Sequence, residues 1–271
     1  MQSICCFINP NGIVALTVAS SINPLKACLA KGKPGIGMMV SMPSVATTQI
    51  LANAGFDWLF FDMEHGPIDI ASLHAMVSVT TGTRTSPIVR VPWNVHWLVK
   101  TVLDAGAMGV VFPMIHNRDE AEAAASAVRY PPQGNRGFGP FYGPARFRVT
   151  REEYVDLADE HIMCILLIED RQAVDNIEEI VTVSGVDACQ IAPYDLAMSY
   201  GYRDGPDHEE VQDAIRRAEK AILSGPTYLG GLALKNQDAN DMIQRGYQII
   251  LTGSDTLLLE RGAEEILNGI D

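Results

Sequence analysis

The chain has 271 residues, a size that suits one barrel or one doubly wound domain, and 47% of them are hydrophobic, enough for a large core. Acidic residues number 33 against 20 basic ones, for a formal charge of -13. A field of that sign repels phosphate backbones and anionic bilayers, which argues against nucleic-acid and membrane-surface partners and leaves an anionic substrate in need of a local cation.

Residues 1–22 hold no charge, the first Lys being Lys26, and Pro10-Asn11-Gly12 interrupts their apolar run. A signal peptide opens with basic residues and an unbroken apolar stretch. Residues 1–22 therefore read as an extension ahead of a domain spanning 23–271, with a targeting role as the alternative. No stretch carries the roughly 18 uninterrupted apolar residues that cross a bilayer.

From residue 35 onward, short apolar runs alternate with amphipathic segments. The predicted strands are Gly35–Val40, Trp58–Asp62, Pro87–Val91, Gly109–Pro113, Met163–Ile168, Ala188–Ala192, Tyr228–Leu234 and Tyr247–Leu251. Each is apolar on both faces, as parallel strands covered on both sides must be. Between them, helices are predicted at Val45–Ala54 and His96–Ala105, which stop at Gly55 and Gly106. Asp119–Val128 stops before Pro131-Pro132, and Ile177–Val183, Glu209–Leu223, Ala239–Arg245 and Leu257–Leu267 complete the alternation. Eight β/α units without a break predict a closed (β/α)8 barrel, with an open doubly wound sheet as the alternative. The one long irregular stretch is Tyr130–Val149. Cys5, Cys6, Cys28, Cys164 and Cys189 lack zinc-site spacing, and a reducing, cytoplasmic setting fits them. A redox role for the Cys5-Cys6 pair is the alternative.

In such a barrel, reactive groups gather where strands end and the following loops begin. Four predicted strands end in charged or imidazole groups: Asp62-Met63-Glu64-His65-Gly66-Pro67, Arg90-Val91-Pro92, Glu169-Asp170 and Pro193-Tyr194-Asp195. Glu169 and Asp195, two carboxylates without a Cys/His cluster, suit a hard divalent cation. The alternatives are that Asp195 caps a helix and that Glu169 pairs with Arg171. His65, beside Asp62 and Glu64, is a candidate general base or a structural imidazole. Arg90 offers a planar fork to a carboxylate or an enolate oxygen, or else pairs with Asp62 or Glu64. Asp104 falls in the last turn of its helix, where the macrodipole disfavours negative charge, so a cationic or hydrogen-bonding partner is expected. Gly137-Phe138-Gly139 can present backbone N–H groups to a substrate carboxylate but lacks the glycine fingerprint of a nucleotide site. Phe141, Tyr142 and Phe147 suit an apolar acceptor pocket or ordinary loop packing. Lys235 suits a Schiff base or an ordinary rim lysine.

These motifs, in this order, carry a resemblance to a known family. Besides the strand ends above they include Ala54-Gly55-Phe56-Asp57-Trp58, Val102-Leu103-Asp104-Ala105-Gly106-Ala107, Pro113-Met114, Tyr130-Pro131-Pro132, Arg136-Gly137, Ala173-Val174-Asp175-Asn176 and Pro193-Tyr194-Asp195-Leu196. From about Asn23 to the C-terminus the chain resembles the HpcH/HpaI aldolases, the class II pyruvate aldolases that act on 2-dehydro-3-deoxyglucarate and 4-hydroxy-2-oxoheptanedioate, a family that also includes macrophomate synthase. The resemblance implies a TIM barrel of the phosphoenolpyruvate/pyruvate type with its last helix swapped between subunits of a homohexamer or trimer. It implies a divalent metal (Mg2+, Mn2+ or Co2+) on Glu169 and Asp195, and Arg90 at the pyruvoyl oxygen. It pairs His65 with Asp104 of a neighbouring subunit. Asp62 and Glu64 would orient His65 and water, and backbone near Gly137 and Tyr194 would hold the substrate carboxylate, with Asp195 also touching substrate. The implied reaction is reversible cleavage of a 4-hydroxy-2-oxo acid to pyruvate and an aldehyde through a metal-bound pyruvate enolate.

The chain also departs from the family pattern. Leu167 stands where a Gln often precedes the metal Glu by two places, Ala192-Pro193-Tyr194-Asp195-Leu196-Ala197 replaces Gly-Pro-Ala-Asp-Leu-Ser, and His116 stands where relatives often carry Asp. These changes bear on the second substrate rather than on the enolate machinery. Three alternatives follow: a macrophomate-synthase-type enzyme that decarboxylates oxaloacetate and adds the enolate to a 2-pyrone, a Schiff-base aldolase using Lys235, and a non-catalytic oligomeric paralogue.

Overall fold

A computed structural model describes residues 23–233 and 236–270. The 1–22 extension with Cys5-Cys6, and Lys235, lie outside the described residues. Strands β1 (Gly35–Val40), β2 (Trp58–Asp62), β3 (Ser86–Arg90), β4 (Gly109–Phe112), β5 (Met163–Ile168), β6 (Ala188–Ile191), β7 (Tyr228–Leu232) and β8 (Ile249–Ser254) are all parallel. They pair in sequence order, and β8 closes on β1 to complete a barrel.

The helices are α1 (Pro24–Ala30), α2 (Val45–Asn53), α3 (Ile70–Val79), α4 (His96–Asp104), α5 (Arg118–Ala127), α6 (Gly143–Phe147), α7 (Arg151–His161), α8 (Arg171–Asp175), α9 (Ile177–Ile180), α10 (Pro193–Ser199), α11 (Glu209–Ser224), α12 (Asn236–Gln244) and α13 (Asp255–Asn268). Among the described residues no helix is long and apolar enough to cross a membrane.

The strands are apolar on both faces because side chains fill the barrel on one side and meet helices on the other. Every residue of β2, β3, β4, β5 and β6 is buried. Close packing dictates small residues at particular points. A Cβ at Gly37 would come within 2.3 Å of the Trp58 ring, so only glycine lets β1 lie against that indole.

The face where strands begin is closed by α1, the loop after α5 and α7. Asn23 Nδ2 donates to the backbone oxygens of Met108 and His161, each at 2.9 Å, and Asn23 Oδ1 accepts from Ser86 Oγ at 2.8 Å. Asp187 accepts from Lys26 Nζ at 2.8 Å and from the Cys164 amide at 2.9 Å, and pairs with Arg129.

The predicted alternation matches this barrel, with several adjustments. Strand β3 begins one residue early, and β8 runs on to Ser254. Helix α3 was not expected, because its sequence is apolar almost throughout and shows no clear stripe. Helix α7 was not expected either, although Thr150 and Glu153 form the reciprocal capping box that marks a helix start. The long irregular stretch contains α6.

Candidate active site

A cavity of about 160 Å³ opens at the strand C-termini, with His65, Arg90, Tyr194 and Asp195 around it. Register explains its first feature. Asp62 and Arg90 are paired Cα partners at the ends of β2 and β3. Arg90 Nε donates to Asp62 Oδ1 at 2.9 Å and Nη2 to Oδ2 at 2.7 Å, while Nη1 sits 2.9 Å from Glu64 Oε2. The guanidinium also lies 5.3 Å from the Phe60 ring centroid. Both pairing options for Arg90 are therefore realised at once, and it remains on the cavity wall. The Arg90 guanidinium holds Asp62 below the usual carboxylate range despite burial, which on its own would raise it.

Asp62 also fixes the turn that follows. Its Oδ1 accepts from the backbone N–H of Glu64 at 3.0 Å and of His65 at 3.3 Å. Gly66 completes the turn, and a Cβ there would fall 2.4 Å from the Asp62 carbonyl oxygen and 2.8 Å from that of Ser41. The turn carries the exposed His65 ring to the cavity rim.

Glu169 directly follows β5 and is 7% exposed. Its Oε1 accepts from the Met114 amide at 2.6 Å, which Met114 presents from a left-handed conformation at φ 54. Burial, joined by the negative charges of Asp195 and Glu64, pushes the Glu169 carboxyl up to about 7. Glu64 is raised as well, by burial first and then by Asp62 and Asp195, against the pull of Arg90. Asp195 lies in the first turn of α10, whose N-cap Ala192 makes no side-chain cap bond. Asp195 therefore does not cap that helix, and Glu169 bonds Met114 rather than Arg171.

Glu169 and Glu64 are thus raised by burial and by neighbouring carboxylates, Asp195 among them, beside an arginine, Arg90, that is already paired. That surplus suits a divalent cation. Among the described residues no group of three His, Cys, Asp or Glu side chains converges on one point. Two protein oxygens with water and substrate completing the shell match how Mg2+ and similar ions are held.

Asp104 and Gly137 lie elsewhere. Helix α4 ends just before β4 begins, so Asp104 sits at the strand N-termini, across the barrel from His65. Arg136 Nη2 donates to Asp104 Oδ1 at 2.8 Å and supplies the cationic partner that this helix end requires. Burial still leaves the Asp104 carboxyl above its ordinary value. Gly137 is beside Lys100 and Gly139 beside Asp104 Oδ2. Within one chain, then, Gly137 and Tyr194 do not share a carboxylate site, nor does Asp104 meet His65. Phe138, Phe141 and Tyr142 are exposed on the same loop, whereas Phe147 packs edge-on to Tyr154 at 5.0 Å. They do not line the cavity. Met114 fell within a sequence motif but had no role assigned, and Gln190 was passed over, although a lone amide in the apolar β6 was a visible signal.

Residues 35–261 match the HpcH/HpaI aldolase/citrate lyase family. The chain belongs to that family. A 4-hydroxy-2-oxo-heptane-1,7-dioate aldolase from Escherichia coli is 36% identical over 244 residues, which is 90% of this chain and 93% of the relative. The crystal structure of a member of the HpcH/HpaI family from Burkholderia cenocepacia J2315 superposes with a TM-score of 0.86 at 32% identity, covering 91% of this chain and 98% of the other. Macrophomate synthase, at 24% identity and a TM-score of 0.80 over 91% of this chain and 87% of its own, shares the fold.

Proposed function

We propose that this family member is a divalent-metal-dependent class II aldolase that reversibly cleaves a 4-hydroxy-2-oxo acid to pyruvate and an aldehyde. The observation that carries the reading is the surplus of carboxylate charge at Glu169, Asp195 and Glu64 beside the buried, doubly paired Arg90. The aldolase relative at 36% identity supports the reaction class.

Glu169 and Asp195 would hold the cation (Mg2+, Mn2+ or Co2+), which supplies Lewis-acid charge for the keto and carboxylate oxygens of the 2-oxo acid. Arg90 adds a fixed positive charge where the keto oxygen gains electron density as the C3–C4 bond breaks, the electrostatic contribution that counts most in such reactions. Asp62 and Glu64 clamp the guanidinium, so that no reorganisation is needed when the charge develops. His65 accepts the 4-hydroxyl proton through a water on cleavage and returns it on addition. In our reading, Asp104 of a second copy of the chain reaches this His65, and Gly137 arrives with it to bind the carboxylate together with Tyr194.

The state of α13 supports a homo-oligomer, hexamer or trimer. Of its residues only Asp255 is buried, while Leu259, Ile266 and Leu267 are more than 60% exposed, an apolar face that a second copy would cover. We take 23–271 as the catalytic domain and 1–22 as an extension. The unpaired Cys164 and Cys189, both buried, support a reducing, cytoplasmic setting.

The test is pyruvate release from a panel of 4-hydroxy-2-oxo acids, with and without EDTA and with Glu169→Gln. We expect turnover that EDTA abolishes and the variant lacks. Turnover insensitive to EDTA, with borohydride trapping of pyruvate, would instead point to Lys235. Turnover that survives in Glu169→Gln removes the proposed metal role.

A further inference from the structure

The cavity floor is apolar, formed by Met39, Phe60, Leu167, Leu232 and Leu251, with one exception, Gln190. Gln190 is 4% exposed, and its Oε1 has no hydrogen-bond partner among the described residues. Its register partners offer none from a side chain. Gln190 lies in register between Leu167 on β5 and Gly230 on β7, one apolar and the other without a side chain. A Cβ at Gly230 would come within 3.2 Å of the Gln190 Cβ, so a larger residue there has no room. A buried amide oxygen without a donor bears its full desolvation penalty, which an apolar residue of similar volume would not. Gln190 borders the cavity, and a polar group bound there would complete the amide.

The geometry points to Gln190 as a specificity-determining residue that hydrogen-bonds a hydroxyl on the acceptor half of the substrate, making the acceptor a small hydroxyaldehyde. This rests on the aldolase reading above. In that reading, the 2-oxo acid head has its oxygens at Arg90 and the Glu169–Asp195 pair, and its C3 carries no hydrogen-bonding group, so the group that meets Gln190 belongs to the aldehyde-derived carbons. A hydroxyl both donates and accepts, and so satisfies either end of the amide. An alkyl chain offers nothing. A second carboxylate offers only acceptors and brings negative charge onto a floor that, among the described residues, has no cation. Sites built to bond a substrate hydroxyl discriminate strongly against the analogue that lacks it, because the protein group is then left unpaired.

The experiment compares pyruvate addition to glycolaldehyde and to acetaldehyde, which have equal carbon count, in the wild type and in Gln190→Leu. The variant matches the surrounding floor and nearly conserves volume. The ratio of kcat/KM for the two aldehydes is taken in each protein, so their intrinsic reactivities cancel between proteins. We expect the preference for glycolaldehyde to fall at least about 10-fold in the variant. We also expect the ligand-free variant to melt no lower than the wild type, since an orphaned amide is removed. A ratio unchanged by the substitution overturns the assignment, as does a clear drop in melting temperature, which would make the amide structural. A wild type that forms no product with either aldehyde or any other acceptor overturns the aldolase reading itself and the assignment with it.

Discussion

The two ends of the barrel differ in how charge is balanced. Where strands begin, Asn23 bonds two backbone oxygens and Ser86, and Asp187 is shared among Lys26, Arg129 and a backbone amide. Opposite charges balance there, since Asp187 meets Lys26 and Arg129 and Asp104 meets Arg136, although Arg129 Nη1, Arg136 Nε and Nη1 and Thr227 Oγ1 have no hydrogen-bond partner among the described residues. Where strands end, three carboxylates face one committed arginine, Glu169 is raised to about 7, and Gln190 Oε1 has no partner among the described residues. The first arrangement holds the fold together. The second is unfavourable until a cation and a substrate enter, and such a departure from self-sufficiency marks a working site.

If the contrast is right, changes at the strand-end rim should damage activity and spare the fold, while changes at the base should do the reverse. The largest effect is expected for Asp195→Asn. It should lower kcat/KM on the order of 1000-fold, roughly 4 kcal/mol of transition-state stabilisation, while the metal-free protein melts no lower because a repelling charge is gone. Steady-state kinetics and thermal melts check both halves. Arg90→Lys keeps the charge and loses the fork that meets Asp62 and Glu64. A fall of about 100-fold in kcat/KM is expected, with less change at saturating substrate if the ground state was equally held. At the base, Asn23→Ala strands the backbone oxygens of Met108 and His161 and should cost about 2–3 kcal/mol in denaturant unfolding, with kcat of the folded fraction unchanged.

A smaller effect concerns pH. The Glu169 carboxyl rises from an ordinary 4.5 to about 7 in the folded chain. The metal-free fold therefore binds a proton that the unfolded chain has released across that window. Its stability is highest on the acid side, declines as pH rises from about 4.5 to about 7, and is flat above. Melts of EDTA-treated protein between pH 5 and 8 should show this slope, and Glu169→Gln should flatten it.

Much of the barrel was legible in the sequence because parallel strands covered on both sides are short unbroken apolar runs, such as Trp58–Asp62 and Met163–Ile168, punctuated by Gly55 and Gly106. Helix α3 was hidden by the lack of a polar face. The rim residues were legible because a charge at the end of an apolar strand needs a reason, and Asp62, Arg90, Glu169 and Asp195 all stand there. Their partners were less so. Register sets the Asp62–Arg90 pair, and the left-handed Met114 backbone sets the Glu169 contact, neither of which is a local property of sequence. Asp104 needed a cation, and the sequence did not say that it would be Arg136.

The account depends on one physical claim, that Glu169 and Asp195 together form a site for a divalent cation. Titration calorimetry with Mn2+ at pH 7, in two buffers of different ionisation enthalpy, measures it directly. We predict one ion per chain with release of about half a proton, since a carboxyl near 7 is half protonated there and must ionise to bind, and we predict loss of binding in Asp195→Asn. Binding of equal strength in that variant, or no binding to the wild type, would contradict the claim.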